Sequence, residues 1–219
     1  MFDFGGTLDA PGLTWKARAF RLYRDAGLAA DAAVFDPAFY GADDAVIGAV
    51  SPTLPLDETV RRLFAGLSAR LGVADARLTE RLALSFVEDA RAGLRASADV
   101  LARLARRHRL GVVSNFYGNL GAVCATAGLT SLLSVIVDST AVGSSKPDPR
   151  IFRHALDALG VSPAEAVFVG DSRPRDMEGA RALAMPHVWL VDAAGPVAPP
   201  CCPGDPVIRS LEELEEVLG

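Results

Sequence analysis

The chain has 219 residues, half of them hydrophobic, and carries a net charge of −5. This length accommodates one α/β domain with a smaller insertion, and the acidic charge argues against a nucleic-acid backbone as the partner. No signal peptide precedes Asp3, and no apolar run reaches membrane-spanning length. We therefore expect a cytoplasmic protein that does not act at a membrane.

The first predicted element is a strand that ends at Asp3. Only Met1 and Phe2 precede this residue, whereas a central strand normally has several residues before its end. Either the strand is very short or the chain begins after its natural start. Two glycines, Gly5 and Gly6, follow at once, so the strand end presents a carboxylate on a tight loop.

From about residue 14 to residue 94 the chain is predicted to be helical. Apolar residues recur there at intervals of three and four, and no convincing strand appears. One such series is Val60, Phe64, Leu67 and Leu71. We assign residues 13–95 to a helical domain inserted into the core.

The remaining residues, 1–12 and 96–219, are predicted to form that core. Short β-branched runs alternate with helical segments, which is typical of a parallel sheet covered on both faces. Capping boxes at 162–165 and 210–213 predict two helix starts. The fold class is therefore α/β, a doubly wound Rossmann-like sheet with an inserted helical domain. The predicted strands after the first are 110–113, 135–137, 167–169, 188–191 and 207–208.

Polar side chains follow four strands of this sheet. Ligands of such sheets bind beyond the carboxyl ends of the strands, so we expect these side chains to lie together. Carboxylates there can act as a nucleophile toward phosphorus or bind Mg²⁺, and a hydroxyl and an ammonium can bind phosphoryl oxygens. Without a cation, three close carboxylates would repel and one would take up a proton. The residues are Asp3, Ser114 with Asn115, Lys146, and Asp171 with Asp176.

Lysine and cysteine are rare in this chain, so each of these residues is interpreted individually. Among 22 lysines and arginines only Lys16 and Lys146 are lysines. Lys146 in a turn indicates a need for a compact charge, and we assign Lys16 to the surface. Cys124 lies in an apolar helical stretch and is predicted to be in the core. The pair Cys201–Cys202 is interpreted as a loop feature because no further metal ligands are near.

In these segments the chain resembles the haloacid dehalogenase-like (HAD) superfamily of aspartate-nucleophile hydrolases. Residues 3–8 (DFGGTL) look like its first motif, and Ser114-Asn115 look like the second. Residues 146–152 (KPDPRIF) and 170–180 (GDSRPRDMEGA) look like the third and fourth. The match leaves out only the helical insertion, which resembles the family's α-helical cap.

The resemblance implies Mg²⁺-dependent hydrolysis of a small phosphorylated substrate through an aspartyl-phosphate. The implied metal ligands are Asp3, which is also the nucleophile, the backbone carbonyl of Gly5, Asp171 and Asp176, the last directly or through water. The implied catalytic partners of Asp3 are Ser114 and Lys146, which hold the phosphoryl group. The implied substrate-binding residues are Gly6, Thr7 and Asn115.

The chain departs from the family's pattern at Gly5. In the family's phosphatases an aspartate at this position protonates the leaving oxygen and then activates the attacking water. Such acid–base help contributes about 10²–10⁴-fold. Gly5 keeps only the backbone carbonyl, so the metal site should survive while the acid–base group is missing.

Three interpretations of Gly5 follow. In the one we favour, the protein remains a phosphohydrolase whose acid comes from elsewhere or is dispensable for stable leaving groups. Asp9 is a possible surrogate, although a loop or cap role is simpler. We then expect activity to depend steeply on the pKa of the leaving group, and Gly5→Asp to raise turnover of alkyl phosphates.

In the second interpretation the protein is dehalogenase-like or phosphonatase-like. Dehalogenases of the family have no need for the metal ligands retained here, and Lys16, the only lysine of the insertion, is poorly placed for a Schiff base. In the third interpretation it binds phosphate and metal without turnover.

The identity of the substrate would be set by the insertion. Five aromatic residues are candidates for contact with the leaving group, although aromatic residues at such spacing more often belong to a core. Both a monomer and a homodimer are compatible with such a cap. The candidates are Trp15, Phe39, Tyr40, Phe116 and Tyr117.

Overall fold

The computed structural model of the chain describes residues 1–28, 31–196, 199–200 and 204–218. The segment after the first motif is helical, as the apolar spacing predicts, and its described residues contain no strand. Side-chain oxygens of Thr14, Asp31 and Asp75 accept hydrogen bonds from the first turns of three of its helices, which satisfies backbone donors that lack a partner within the helix. The helices are α1 (Trp15–Asp25), α2 (Ala32–Val46), α3 (Leu56–Arg70) and α4 (Ala76–Leu104).

Helix α4 connects the helical insertion to the core. It is 29 residues long and runs without interruption across residue 95, where we place the boundary of the insertion. Its buried residues recur at helical spacing from Leu82 to Leu104. Near its middle, Ser97 Oγ donates a hydrogen bond of 2.7 Å to the carbonyl of Leu8. Helix α4 therefore supports the loop that follows Asp3, and the boundary itself stays a prediction.

The core contains a parallel sheet whose strands begin and end within one residue of their predicted bounds. Strand β1 pairs with β2, and β4 lies between β3 and β5, with every pairing parallel. The α/β fold class is thus confirmed. The strands are β1 (Gly111–Ser114), β2 (Val135–Asp138), β3 (Phe168–Gly170), β4 (His187–Leu190) and β5 (Val207–Ile208).

The predicted first strand is reduced to a single bridging residue. Phe2 makes parallel bridges to Val112 in β1 and to Val169 in β3, and its N–H and C=O each bond to β1 at 2.8 Å. The N–H of Asp3 donates to the carbonyl of Val169 at 2.9 Å. The order across the sheet is therefore β2, β1, Phe2, β3, β4, β5, and Asp3 leaves its centre at the carboxyl edge.

The two predicted helix starts have different outcomes. Glu165 accepts hydrogen bonds from the N–H and hydroxyl of Ser162 at 2.9 and 2.7 Å, but only a 3₁₀ turn, Pro163–Glu165, follows. A helix there was a wrong prediction, because the chain is already extended at Ala166 on its way into β3. The turn Leu211–Glu213 does continue into a helix. The core helices are α5 (Leu120–Thr126), α6 (Ser139–Val142), α7 (Pro149–Leu159), α8 (Glu178–Arg181) and α9 (Leu214–Leu218).

Cys124 is buried, as predicted, and burial raises the pKa of its thiol to about 12. It therefore behaves as a small core residue. The pair Cys201–Cys202 lies outside the described residues. None of the helices in the described part of the chain combines the length and apolar composition needed to cross a bilayer.

Candidate active site

The loop after Asp3 is anchored by Asp9, which is fully buried. Its carboxylate accepts hydrogen bonds from the N–H of Gly6, the indole of Trp15 and the guanidinium of Arg18, at 2.7, 2.7 and 2.6 Å. Burial raises the pKa of Asp9, although the positive charge of Arg18 opposes that shift. These contacts give Asp9 a structural role in the loop and do not support it as a surrogate acid.

The carboxylate of Asp3 is held through one of its two oxygens. Oδ1 accepts a hydrogen bond from Ser114 Oγ at 2.7 Å and lies 2.7 Å from Lys146 Nζ. Within the described residues, Oδ2 has no hydrogen-bond partner. The protein thus fixes the orientation of Asp3 and leaves one oxygen available to a ligand.

Lys146 is buried between two carboxylates. Its Nζ lies 2.6 Å from Asp176 Oδ1 in addition to its contact with Asp3. Burial alone would lower the pKa of Lys146, but Asp176 and Asp3 outweigh it and hold the pKa above its usual value. The backbone of Lys146 is fixed by Asn115, whose side chain accepts from its N–H at 2.7 Å and donates to its C=O at 3.1 Å. Lys146 is therefore a positioned ammonium.

Asp3, Asp171 and Asp176 form a cluster of acidic side chains. One carboxylate oxygen from each lies within 4.8 Å of the other two. Burial, with repulsion from Asp3 and Asp176, raises the pKa of Asp171 well above its usual value. Burial also raises the pKa of Asp176 to about 6, against the attraction of Lys146. These raised pKa values agree in direction with the repulsion that the sequence predicts for this cluster in the absence of a cation.

Gly6 allows the first motif to lie against this cluster. Its φ of +84° is in the region that favours glycine. A Cβ at this position would lie 2.3 Å from Asp171 Oδ2, which is closer than two such atoms can approach. Glycine is therefore required here both by the backbone and by the neighbouring carboxylate.

The acidic cluster fits a small divalent cation. Three closely spaced carboxylates face a single ammonium, and hard carboxylate oxygens are the ligands that Mg²⁺ prefers. Both oxygens of Asp176 have partners already, because Oδ2 accepts from the N–H of Ser172 at 2.9 Å. Asp3 and Asp171 would therefore hold the ion most directly. The carbonyl of Gly5 accepts no hydrogen bond from the described residues, as its predicted role requires.

Three residues predicted to bind substrate have other contacts. Thr7 is fully buried, does not line the cavity, and its hydroxyl has no partner among the described residues. The N–H of Gly6 is occupied by Asp9. Asn115 lines the cavity, but its amide holds the backbone of Lys146. A substrate-binding role for Thr7, Gly6 and Asn115 stays a prediction.

Trp15 occupies the space in front of Gly5. A Cβ on Gly5 would lie 3.1 Å from Nε1 and 3.2 Å from Cδ1 of the indole. The indole is fixed by its hydrogen bond to Asp9 and by edge contacts with Phe86 and Phe116. A side chain at position 5 would thus have to displace a well-packed ring, so the expected benefit of Gly5→Asp requires Trp15 to move.

A cavity of about 370 Å³ lies between the helical insertion and the carboxyl edge of the sheet. Asp3, Ser114, Lys146 and Asp171 contribute to its wall. All five aromatic candidates also line it, and all but Tyr40 are buried in the hydrophobic core as well, so contact with a leaving group stays a prediction: Trp15, Phe39, Tyr40, Phe116 and Tyr117. The cavity therefore joins the acidic cluster to an aromatic chamber formed largely by the insertion.

Three charged residues of the cavity wall were not predicted. Lys16, assigned to the surface, is partly exposed, and it also lines the cavity and lies 2.5 Å from Asp36. Asp43 and Arg175 also line it. Helical spacing from Phe39 and Tyr40 could have indicated Asp43, whereas Arg175 gave no signal beyond its place in the fourth motif.

We expect Mg²⁺ to raise the melting temperature of the protein, because an ion that binds only the folded state stabilises it. The raised pKa values of Asp171 and Asp176 mean that the folded state holds protons which the cation must displace. Without metal, stability should fall as pH rises from about 4 through about 6. The stabilisation by Mg²⁺ should therefore be larger at about pH 8 than at about pH 5, as measured by thermal unfolding. An unchanged shift in Asp171→Asn would contradict this assignment.

The chain is similar in sequence to several hydrolases. It is 33% identical over 163 residues to haloacid dehalogenase-like hydrolase domain-containing protein 3 of Bos taurus, covering 74% of this chain and 64% of that protein. It is 42% identical over 88 residues to a phosphoserine phosphatase of Thermus thermophilus, covering 40% of this chain and 35% of that one. It is 39% identical over 122 residues to a plasmid phosphoglycolate phosphatase of Cupriavidus necator, covering 54% of this chain and 52% of that protein. The chain thus spans less than two thirds of each of these relatives.

Solved structures share the fold over nearly the whole chain. The HAD-hydrolase YfnB of Bacillus subtilis, bound to magnesium, superposes with a TM-score of 0.60 at 22% identity, covering 99% of this chain and 96% of that one. An L-2-haloacid dehalogenase of Xanthobacter autotrophicus superposes with a TM-score of 0.60 at 20% identity, covering 99% of this chain and 96% of that one. A family model for haloacid dehalogenase-like hydrolases matches residues 1–183. The chain therefore belongs to the haloacid dehalogenase-like hydrolases.

Proposed function

We propose that this chain is a magnesium-dependent phosphohydrolase that acts on a small phosphorylated compound through an aspartyl-phosphate at Asp3. The observation that carries the proposal is the state of Asp3. Ser114 and Lys146 hold its Oδ1, and Oδ2 has no partner among the described residues. Such an oxygen, at the wall of a cavity, suits attack on phosphorus.

The other residues of the site fit a phosphoryl group. Lys146 supplies a positive charge, and Ser114 a hydroxyl, where negative charge develops on phosphoryl oxygens. The ion between Asp3 and Asp171 would neutralise further charge on those oxygens. Two relatives bear the names phosphoserine phosphatase and phosphoglycolate phosphatase, which supports phosphate monoesters as the substrate class. The shared chemistry of those two names, a small phosphate ester that also carries a carboxylate, suits the exposed Arg175 on the cavity wall.

The reaction has two displacements at phosphorus. Asp3 Oδ2 attacks phosphorus, the bond to the leaving oxygen breaks, and the leaving oxygen takes up a proton. A water molecule then attacks the phosphorus of the acyl phosphate and loses a proton. Inorganic phosphate departs, and the carboxylate of Asp3 is regenerated.

Two features favour this function over the alternatives raised by Gly5. The acidic cluster of Asp3, Asp171 and Asp176 is complete, whereas a dehalogenase of this family has no need for a metal site. Lys16 would have to be a neutral amine to form a Schiff base. The hydrogen bond to Asp36 raises its pKa above the usual value, so Lys16 stays protonated and a phosphonatase role is disfavoured.

Metal removal tests the proposal. With p-nitrophenyl phosphate or acetyl phosphate as substrate, we expect release of phosphate in Mg²⁺ and its loss after EDTA treatment, with recovery on adding Mg²⁺ back. A 2-haloacid assayed for halide release serves as the comparison substrate. Halide release that persists in EDTA, with no release of phosphate from either ester, would contradict the proposed function.

A further inference from the structure

The cavity wall holds one carboxyl group that the acidic cluster does not use. Among the described residues, the carboxylates that line the cavity are Asp3, Asp171 and Asp43. Asp3 and Asp171 belong to the cluster, and Asp9 is buried away from the cavity. Asp43, on helix α2 of the insertion, is therefore the remaining carboxyl group of the cavity wall among the described residues.

The contacts of Asp43 hold it ready to exchange a proton. Tyr117 Oη donates to Asp43 Oδ1 at 2.5 Å, and Oδ2 has no hydrogen-bond partner within the described part of the chain. Burial, with the nearby charge of Asp43, holds the pKa of Tyr117 well above its usual value. Tyr117 therefore stays a neutral donor that orients one oxygen of Asp43 and leaves the other without a hydrogen bond among the described residues.

Burial of Asp43 favours its acid form, although two of its neighbours oppose this effect. Burial raises the pKa of this carboxyl, and so does Asp44 next to it on α2. The hydrogen bond from Tyr117, in the loop after β1, and the positive charge of Arg175, after β3, lower it. The net effect is a raised pKa, which is the direction a carboxylic acid needs in order to donate a proton near neutral pH.

We propose that Asp43 is the general acid–base group of this enzyme and replaces, from the helical insertion, the carboxyl that Gly5 lacks. The inference rests on the proposed function. In the first displacement the Asp43 carboxyl gives its proton to the leaving oxygen as the bond from phosphorus to that oxygen breaks. In the second, the resulting carboxylate takes a proton from the water that attacks the acyl phosphate. Both Asp43 and Asp3 are thereby returned to their starting states.

With Asp43 as the acid, the lack of a side chain at position 5 should affect activity less than the sequence alone predicts. The steep dependence on leaving-group pKa that the sequence predicts applies to a site without any acid. With Asp43 in place, the wild-type protein should hydrolyse alkyl and aryl phosphates with similar efficiency. The steep dependence should emerge only when Asp43 is removed.

The test compares Asp43→Asn with Asp89→Asn, which removes an exposed carboxylate from helix α4 of the same insertion, outside the cavity wall. The substrates are p-nitrophenyl phosphate, whose leaving group needs no proton, and glycerol 3-phosphate, whose leaving group does. For Asp43→Asn we expect kcat/KM to fall about 10²–10⁴-fold on glycerol 3-phosphate and by less than about tenfold on p-nitrophenyl phosphate. Asp89→Asn should leave both unchanged.

Equal losses on the two substrates would overturn the inference, because a contact that only holds the insertion closed affects both alike. No loss on either would overturn it as well. Hydrolysis of p-nitrophenyl phosphate by the wild-type protein in Mg²⁺ reports on the proposed function separately, so the two failures can be told apart.

Tyr117→Phe provides a second test of the inference, which does not depend on whether Asp43→Asn folds. It removes the hydrogen bond that lowers the pKa of Asp43, so that pKa should rise. The descending limb of kcat/KM for glycerol 3-phosphate should therefore move to higher pH. A pH profile identical to that of the wild type would contradict the assignment of Asp43 as the acid.

Discussion

Replacement of the nucleophile, Asp3→Asn, should reduce turnover of every phosphorylated substrate by a factor on the order of 10⁴ to 10⁶. The amide is nearly isosteric with the carboxylate but cannot form an acyl phosphate. The amide oxygen could still accept the hydrogen bond from Ser114, and Lys146 would keep its contact with Asp176 at 2.6 Å. We therefore expect the loss in kcat without a loss of fold, measured by steady-state kinetics beside circular dichroism.

The control for Asp3→Asn is Asp157→Asn, which removes an exposed carboxylate from α7, away from the cavity. Its kcat and melting temperature should match those of the wild type. Residual activity of Asp3→Asn within tenfold of the wild-type value would rule out Asp3 as the nucleophile. Binding of Mg²⁺ by the variant should weaken, because Asp3 is also a ligand of the proposed site.

The second large effect is expected for Lys146→Met. This change removes the only ammonium from between Asp3 and Asp176 and leaves buried carboxylates uncompensated. Breaking a buried ion pair by removing one partner costs about 3–5 kcal/mol. The free energy of unfolding, measured by denaturant titration, should fall by that amount. The kcat should fall about 10²–10³-fold, as for loss of one donor to a developing anion.

Added Mg²⁺ should stabilise Lys146→Met more than it stabilises the wild type, because the ion then offsets carboxylate charge that the ammonium no longer balances. Arg150→Met is the matched control. It removes a cation four residues along the same segment, whose pair with Asp148 is exposed, and exposed pairs contribute about 0–1 kcal/mol. Equal destabilisation of the two variants would show that the buried position of Lys146 does not matter.

The sequence predicts the acidic cluster because its members follow strands of one parallel sheet. Ser114 and Asp171 follow short β-branched runs, and Asp3 follows the apolar pair Met1-Phe2. The carboxyl ends of parallel strands meet at one edge. That geometry holds even though the first strand is reduced to the bridging residue Phe2. The position of a site at a sheet edge therefore depends on strand order, and little on strand length.

What the sequence does not predict depends on how the helical insertion packs over that edge. Nothing in the spacing of residues indicates that the indole of Trp15 lies in front of Gly5, or that Asp9 is buried beneath it. The orientation of Asp43 toward Tyr117, 74 positions away in the chain, is likewise a result of tertiary packing. Local signals also failed at 162–165, where a good capping box yields only a 3₁₀ turn because β3 begins immediately afterwards.

The chemistry of Asp3 can be observed directly by trapping its phosphorylated form. Sodium borohydride reduces an acyl phosphate but leaves a free carboxylate intact, so the protein would be mixed with acetyl phosphate and Mg²⁺, treated with borohydride, digested and analysed by mass spectrometry. We predict a reduced side chain at position 3, and its absence when EDTA replaces Mg²⁺. Phosphate release by the same sample with position 3 unmodified, or reduction at another carboxylate, would contradict the account.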